Sequence, residues 1–193
     1  AAQLQAEGFN ISYIHPAAKL EAVIKGLNMD PTGLSNVYWG NVDSFIVAKL
    51  TGGAAHITDA SQAFALGYYD PQTNSWNQRL IDYQQLDAQI FPSIVDSSGE
   101  LAMTSQKVFG AEVPIAAMIG DQQSAAFAQS CRTNGQCKVT YGTAAIVDMY
   151  TTAIPQLSNA GSYPVVLWRL NGQTHYGSEG MMITGGKTFE ALR

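Results

Sequence analysis

Charge is what this sequence has least of. Charged side chains make up 13% of its 193 residues, about half the share of roughly 25% usual in globular chains. Basic groups are the scarcer kind, ten Lys+Arg against fifteen Asp+Glu, and no basic run exceeds two residues; this argues against a nucleic-acid face. No apolar run reaches the ~18 residues of a membrane helix. The start, Ala1-Ala2-Gln3, has neither the basic nor the apolar region of a signal peptide. Both ends read as cut: the first residue is not Met, and Ala191-Leu192-Arg193 stand inside a helical pattern. The expectation is therefore an internal piece of a longer, cytoplasmic protein.

Metal-site chemistry is equally thin. The sequence has two cysteines, Cys131 and Cys137, and three histidines, His15, His56 and His175, far apart. There is no CxxC, HxxxH or HExxH, so no zinc site and no protein-held metal is expected. The two cysteines flank Asn134-Gly135, where a surface disulfide is conceivable, but this usage fits a reduced chain better. There is no GxSxG, no GxGxxG and no glycosidase-type acidic pair. Thr184-Gly185-Gly186-Lys187-Thr188 invites comparison with a P-loop, yet that motif needs Gly where Met181 stands. Trp39, Trp76 and Trp168 are isolated, which favours core or interface roles over sugar platforms.

What is present is punctuation and periodicity. Leu20, Val23, Ile24 and Leu27 follow Pro16 at helical spacing. A second helix is expected over Phe45 to Leu50, after Asn41-Val42-Asp43-Ser44 and before Gly52-Gly53. Thr58-Asp59-Ala60-Ser61 opens a third element. A turn falls at Asp70-Pro71-Gln72-Thr73-Asn74, a helix over Asn77 to Leu86, and a loop over Phe91 to Ser105. Val113 to Ile119 has the length of a buried strand, broken by Gly120-Asp121, with an Ala-rich helix over Gln122 to Ser130. Lys138–Tyr141 and Ala144–Tyr150 read as strands around a tight turn. Val165–Leu170 and Gln173–Tyr176 read as a hairpin on Asn171-Gly172. A last helix is expected over Lys187 to Arg193. The pattern is α/β with mixed sheets.

Three stretches could carry chemistry. Asp121, after a strand and at a helix start, is placed to accept a proton from a substrate hydroxyl; on these residues alone a plain N-cap is the better reading, and one residue can do both. Thr140-Tyr141-Gly142-Thr143 could hold a phosphate with backbone N–H groups and a hydroxyl, or be an ordinary hairpin turn. Gly185-Gly186 could lie against the flat face of a nucleotide, since no side chain intervenes.

In order and spacing these pieces resemble the FGGY carbohydrate kinases, the glycerol-kinase branch most closely, from about residue 12 to the end. The resemblance rests on Gly40-Asn41-Val42-Asp43-Ser44 with Leu50-Thr51-Gly52-Gly53, on His56-Ile57-Thr58-Asp59-Ala60-Ser61, and on Tyr69-Asp70 with Trp76. It continues in Val113-Pro114-Ile115 with Gly120-Asp121-Gln122-Gln123-Ser124-Ala125, in Thr140-Tyr141-Gly142-Thr143, and in Glu179-Gly180 with Gly185-Gly186. It implies an actin-like (ribonuclease-H-like) ATPase fold of two domains, only partly present. Residues 1–129 would end the substrate-side domain and 130–193 would begin the nucleotide-side domain, with the cleft near residue 130.

The resemblance also implies roles. Asp121 would be the general base. Tyr13, Gln122 and Ile146 would face the substrate, and Gly142, Thr143, Gly186 and Glu190 would face ATP, with Mg²⁺ as the companion ion. Ile146 stands where glycerol kinases carry an aromatic residue, Glu190 where the family has Gln, and Ala22 where its first signature has Trp. A pentulose such as xylulose is therefore an alternative acceptor, and a non-catalytic nucleotide- or sugar-binding protein on the same fold a further one. The family's Asp-x-Gly-Thr-Thr phosphate hairpin and its substrate-holding Arg-Glu pair and Trp are not in this sequence, so the 193 residues alone are expected to lack kinase activity. The partners implied are a small polyol or sugar and a second copy in a homodimer, without nucleic acid or membrane.

Overall fold

A computed structural model of the chain describes all residues except 10, 12–13, 31–33, 35, 156–160, 187 and 189–193. Tyr13, Glu190 and the expected helix from Lys187 lie wholly or largely outside the described residues.

Helices α1 (Ala2–Ala6) and α2 (Ala17–Gly26) contribute Leu4, Leu20 and Ile24 to one buried cluster with Leu66, Tyr68, Leu80, Ile81, Ile90 and Phe91. Each such aliphatic side chain contributes about 1.5–3 kcal/mol by leaving water. Tyr68 is fully buried, and its hydroxyl donates to Gln84 Oε1 at 2.5 Å while Gln84 Nε2 donates to the Ala17 carbonyl at 3.1 Å. Burial pushes the Tyr68 phenol well above its usual range.

Helix α3 (Val42–Leu50) runs into strand β1 (Ile57–Asp59), and Asp59 then caps helix α4 (Ala60–Leu66). Strands β2 (Tyr69–Asp70) and β3 (Ser75–Trp76) form a small hairpin over the Asp70–Asn74 turn. Helix α5 (Gln78–Tyr83) starts at the Asn77 cap as expected, but it ends before Leu86 because Gln85 turns into the left-handed region at φ 56°.

Two expectations need correction here. The stretch Phe91 to Ser105 is not a loop: it holds β4 (Ser93–Val95), parallel to β1, and β5 (Ser98–Met103). The stretch Val113–Ile119 is not a buried strand. After the short helix α6 (Gln106–Phe109), β6 (Pro114–Ala117) pairs among the described residues with β5 alone, and Pro114, Ala116 and Ala117 are exposed. Ile115 packs against the small Val47, Ile57 and Met118 cluster.

Helix α7 (Asp121–Ala128) leads into a four-stranded antiparallel sheet of order β7-β8-β10-β9, made of β7 (Cys137–Tyr141), β8 (Ala145–Thr151), β9 (Ser162–Leu170) and β10 (Gln173–Met182). The β9–β10 turn is the expected hairpin, with Asn171 and Gly172 both at positive φ, 51° and 74°. Strand β9 is buried on both faces. Val166 packs with Ala60, Ala63 and Tyr69 on one side, while Val165 and Leu167 pack with Ala126 on the other. The register skips Leu167 opposite His175 and Tyr176, a bulge that turns Trp168 to the α7 side against Phe127. The opposite face of β7 and β8 leaves Val139, Val147 and Met149 exposed. Cys131 is buried, Cys137 is exposed, and both are free thiols. Among the described residues no helix is long and apolar enough to cross a membrane.

Candidate active site

The approach to Asp121 is held from below by one buried carboxylate. Asp59 is fully buried and accepts from Ser61 N, Ser61 Oγ, Gln62 N and Ser97 Oγ at 2.6–3.1 Å. Burial pushes its carboxyl above the usual range, against the pull of these donors. Ser61 Oγ in turn accepts from Gly120 N at 3.2 Å, and Ser97 O accepts from Met118 N at 3.0 Å. Both ends of Met118–Gly120 are thus tied to Asp59. The side-chain ends of Gln123 and Gln62 close over Gly120: a Cβ there would lie 2.2 Å from Gln123 Oε1 and 2.7 Å from Gln62 Nε2, so both side chains would have to turn aside.

Gly120, not Asp121, is the N-cap of α7. Asp121 is the first helical residue, exposed, with Oδ1 accepting from Gln122 N at 2.8 Å. The capping reading is corrected accordingly: the helix begins one residue earlier than a cap at Asp121 requires, and no side chain caps it. Asp121 keeps the favourable field of the helix start and leaves an oxygen free toward solvent.

Gln122 reaches the sheet. Its Oε1 accepts from Lys138 Nζ and from Thr140 Oγ1, the latter at 3.0 Å, while Lys138 Nζ also donates to Thr140 Oγ1 at 2.9 Å. Lys138 lies fully buried, 2.6 Å from Asp148 Oδ2. The register continues the row: Lys138 pairs with Asp148, Asp148 with Glu179, and Glu179 with Tyr163. Four polar residues thus span all four strands at one level, and the Tyr163 hydroxyl donates to Glu179.

Neither Asp148 oxygen receives a well-directed hydrogen bond. The Lys138 contact is an ion pair at 2.6 Å. Glu179 is the register neighbour of Asp148, and in its protonated form it would supply a donor there and leave the buried row neutral. In agreement, burial pushes Glu179 up to about 7, reinforced by the hydrogen bond and charge of Asp148 and opposed by Tyr163 and Lys138. Burial together with Glu179 raises the Tyr163 phenol as well.

Thr140 leads directly into the Gly142–Thr143 turn, where Gly142 N donates to Ala144 O at 2.9 Å. The turn is exposed, and among the described residues neither the Thr143 amide nor its hydroxyl has a partner. Gly185 and Gly186 lie against it, donating to Thr143 O and Gly142 O at 2.8 Å each. Ile146 pairs with Thr140 across the strands and shares the face on which Gln122 rests.

The structure therefore brings together Asp121, Gln122, Gly142, Thr143, Ile146 and Gly186. Tyr13 and Glu190 lie outside the described residues. Cavities of about 660 Å³ beside α3 and about 480 Å³ near Tyr69 and Tyr163 are not lined by this group. Lys138 and Asp148 were not foreseen as parts of the site, and Thr140 was foreseen only within the candidate phosphate turn. Their one signal was a lysine and an aspartate in the middle of otherwise apolar strands.

The arrangement agrees with what the chain is similar to. Residues 6–128 match the model of the N-terminal domain of the FGGY family of carbohydrate kinases. A glycerol kinase of Dechloromonas aromatica is 37% identical over 155 residues, which is 80% of this chain and 31% of that enzyme. The structure of Plasmodium falciparum glycerol kinase with ADP matches with a TM-score of 0.72 and 26% identity, over 79% of this chain and 31% of that one. That of a xylulose kinase from Rhodospirillum rubrum matches with a TM-score of 0.79 and 17% identity, over 99% of this chain and 40% of that one. The fold is the actin-like ATPase fold of these kinases, partly present. The chain spans about a third of the length of the glycerol kinases it matches.

Proposed function

Because the chain belongs to the FGGY family of carbohydrate kinases, we propose that the full-length protein transfers a phosphoryl group from ATP to a hydroxyl of a small polyol or sugar. One observation carries this reading: Gln122, next to the candidate base, is bonded to Thr140, which leads into the candidate phosphate turn. The candidate proton acceptor and the candidate phosphate turn are thus joined through one side chain, which supports in-line transfer to an alcohol.

The residues present fit a nucleotide. In the cradle formed by Gly142–Ala144 with Gly185 and Gly186 only Thr143 and Ala144 carry side chains, both small, and a Cβ on Gly185 or Gly186 would press into the turn's backbone at 2.7–2.8 Å. Bound there, MgATP supplies the phosphoryl group and neutralises its charge. Among the described residues no group of three or more His, Cys, Asp or Glu could hold the ion, so Mg²⁺ would be carried mainly on the phosphates. Thr143 offers its amide and hydroxyl to phosphate oxygens. Gly186 lets the nucleotide lie close to the backbone. Asp121 accepts the proton of the acceptor hydroxyl, and Gln122 positions that hydroxyl. Residues 1–129 and 130–193 would belong to the substrate-side and nucleotide-side domains. A cytoplasmic, homodimeric enzyme is the setting this reading expects.

A pentulose acceptor is the second reading, favoured by Ile146, which opens space where glycerol kinases close with an aromatic ring. A coupled ATP/ADP assay of the full-length protein with glycerol, xylulose, ribulose and gluconate decides between them. Acceptor-dependent ADP release with glycerol is the expected result. Release with a pentulose alone moves the assignment to the second reading. No acceptor-dependent release with any of the four leaves a non-catalytic binding protein.

A further inference from the structure

The buried ammonium of Lys138 has a use that packing does not explain. An ammonium donates and cannot accept. The atom of Gln122 that faces Lys138 must therefore be the amide oxygen, which fixes which end of the side chain points elsewhere. Thr140 reinforces the choice: its hydroxyl accepts from Lys138 at 2.9 Å and passes its own hydrogen to Gln122 Oε1 at 3.0 Å. With the oxygen doubly occupied, the –NH₂ end is the one left for a ligand.

We propose that Lys138 is a positioning residue of the phosphoryl transfer: with Thr140 it locks the Gln122 amide so that its –NH₂ end alone meets the acceptor oxygen. The inference rests on the kinase reading above. It explains a division of labour between neighbours. Asp121 takes the proton from the acceptor hydroxyl, and the same oxygen, as it gains charge, accepts a hydrogen bond from Gln122 Nε2. A free Gln side chain could turn over and present its oxygen, which would repel that charge. Asp148, opposite Lys138 in the register, holds the ammonium in place across the strand.

The test is a double-mutant cycle in the full-length protein, run with whichever of the four acceptors turns over. T140V removes one hydroxyl and no charge, so it keeps the test readable if a lysine variant fails to fold. K138M/D148N removes the ammonium and its counter-charge together, which avoids an unpaired buried carboxylate. Each is expected to lower kcat/KM for the acceptor by about tenfold or more, with the KM for MgATP within about twofold. Built on Q122A, each is expected to cost less than about twofold further, because the group they act through is already gone. Losses that multiply in full with Q122A, or T140V turnover equal to wild type, overturn the positioning role and leave the kinase reading standing. A wild type that releases no acceptor-dependent ADP overturns the kinase reading, and this inference with it.

Discussion

The Gly186 amide donates to the Gly142 carbonyl at 2.8 Å, and a Cβ on residue 186 would lie 2.8 Å from that same oxygen. The contact is backbone on backbone, so no side-chain rotation can relieve an added methyl. G186A, and likewise G185A, should push the segment off the turn at a cost of about 1–3 kcal/mol. MgATP affinity should fall by about tenfold. G180A is the control, since a Cβ at Gly180 meets nothing within 4 Å. Calorimetric titration of the full-length variants with ATP reads the difference, and equal affinity in G186A and G180A would remove Gly186 from the nucleotide side.

Asp121 sits on the helix that carries Gln122, and among the described residues its one hydrogen bond is from the Gln122 amide. D121N keeps that acceptor oxygen and loses basicity. Turnover should drop by about 10²–10⁴-fold, the usual reach of a general base. ATP should still raise the melting temperature as it does in wild type. Near-normal turnover in D121N would sink the assignment.

Asp59 is the opposite case, a carboxylate that no ligand can reach. It caps α4 and gathers Ser61, Gln62 and Ser97. D59A should destabilise the protein by about 2–4 kcal/mol, the sum of a lost cap and orphaned buried donors. Urea denaturation of D59A and D59N separates the two parts, because Asn keeps one acceptor oxygen. A D59A midpoint equal to wild type would mean that Ser61 and Ser97 find other partners.

Part of this was legible beforehand. Asn171-Gly172 announced its hairpin because only a type I′ turn suits that dipeptide between two apolar runs. Asp59 and Asn77 announced their helices for a similar local reason. The short strands β4 and β5 gave no such signal: Pro92 and Gly99 interrupt the stretch, and its pairing is with distant segments. The Lys138–Asp148–Glu179–Tyr163 row was the least legible feature. Its members are spread over more than 40 residues of chain, and only the register of three strand pairs brings them to one level. Asp121 and Gly142 stood out through motif order, yet that Gln122 joins them could be seen only once the helix lay on the sheet.

Glu179 gives the row a pH signature. Its carboxyl is pushed up to about 7 in the folded protein, from an ordinary value of 4.5. Between those values the folded state holds a proton that the unfolded chain has released, so stability falls as pH rises across this window and levels off above it. Melting temperatures of wild type and E179Q across pH 4–8 read this directly. The gap should move in favour of E179Q as pH rises from about 4.5 to about 7. A gap that stays constant would mean that Glu179 binds its proton no more tightly in the folded protein than in the unfolded chain.

The same row bears on how the sheet finds its alignment. A slip of β10 by one residue would turn Glu179 to the open face and set Ser178 or Gly180 beside Asp148. Lys138 and Asp148 would then face each other in the interior without the carboxyl and phenol that complete them. Besides moving apolar side chains to the wrong face, the slip would leave the buried pair with the polar groups of its row unmet. The polar row thus favours one alignment of β10, the alignment from which Gly185 and Gly186 meet the turn at Gly142.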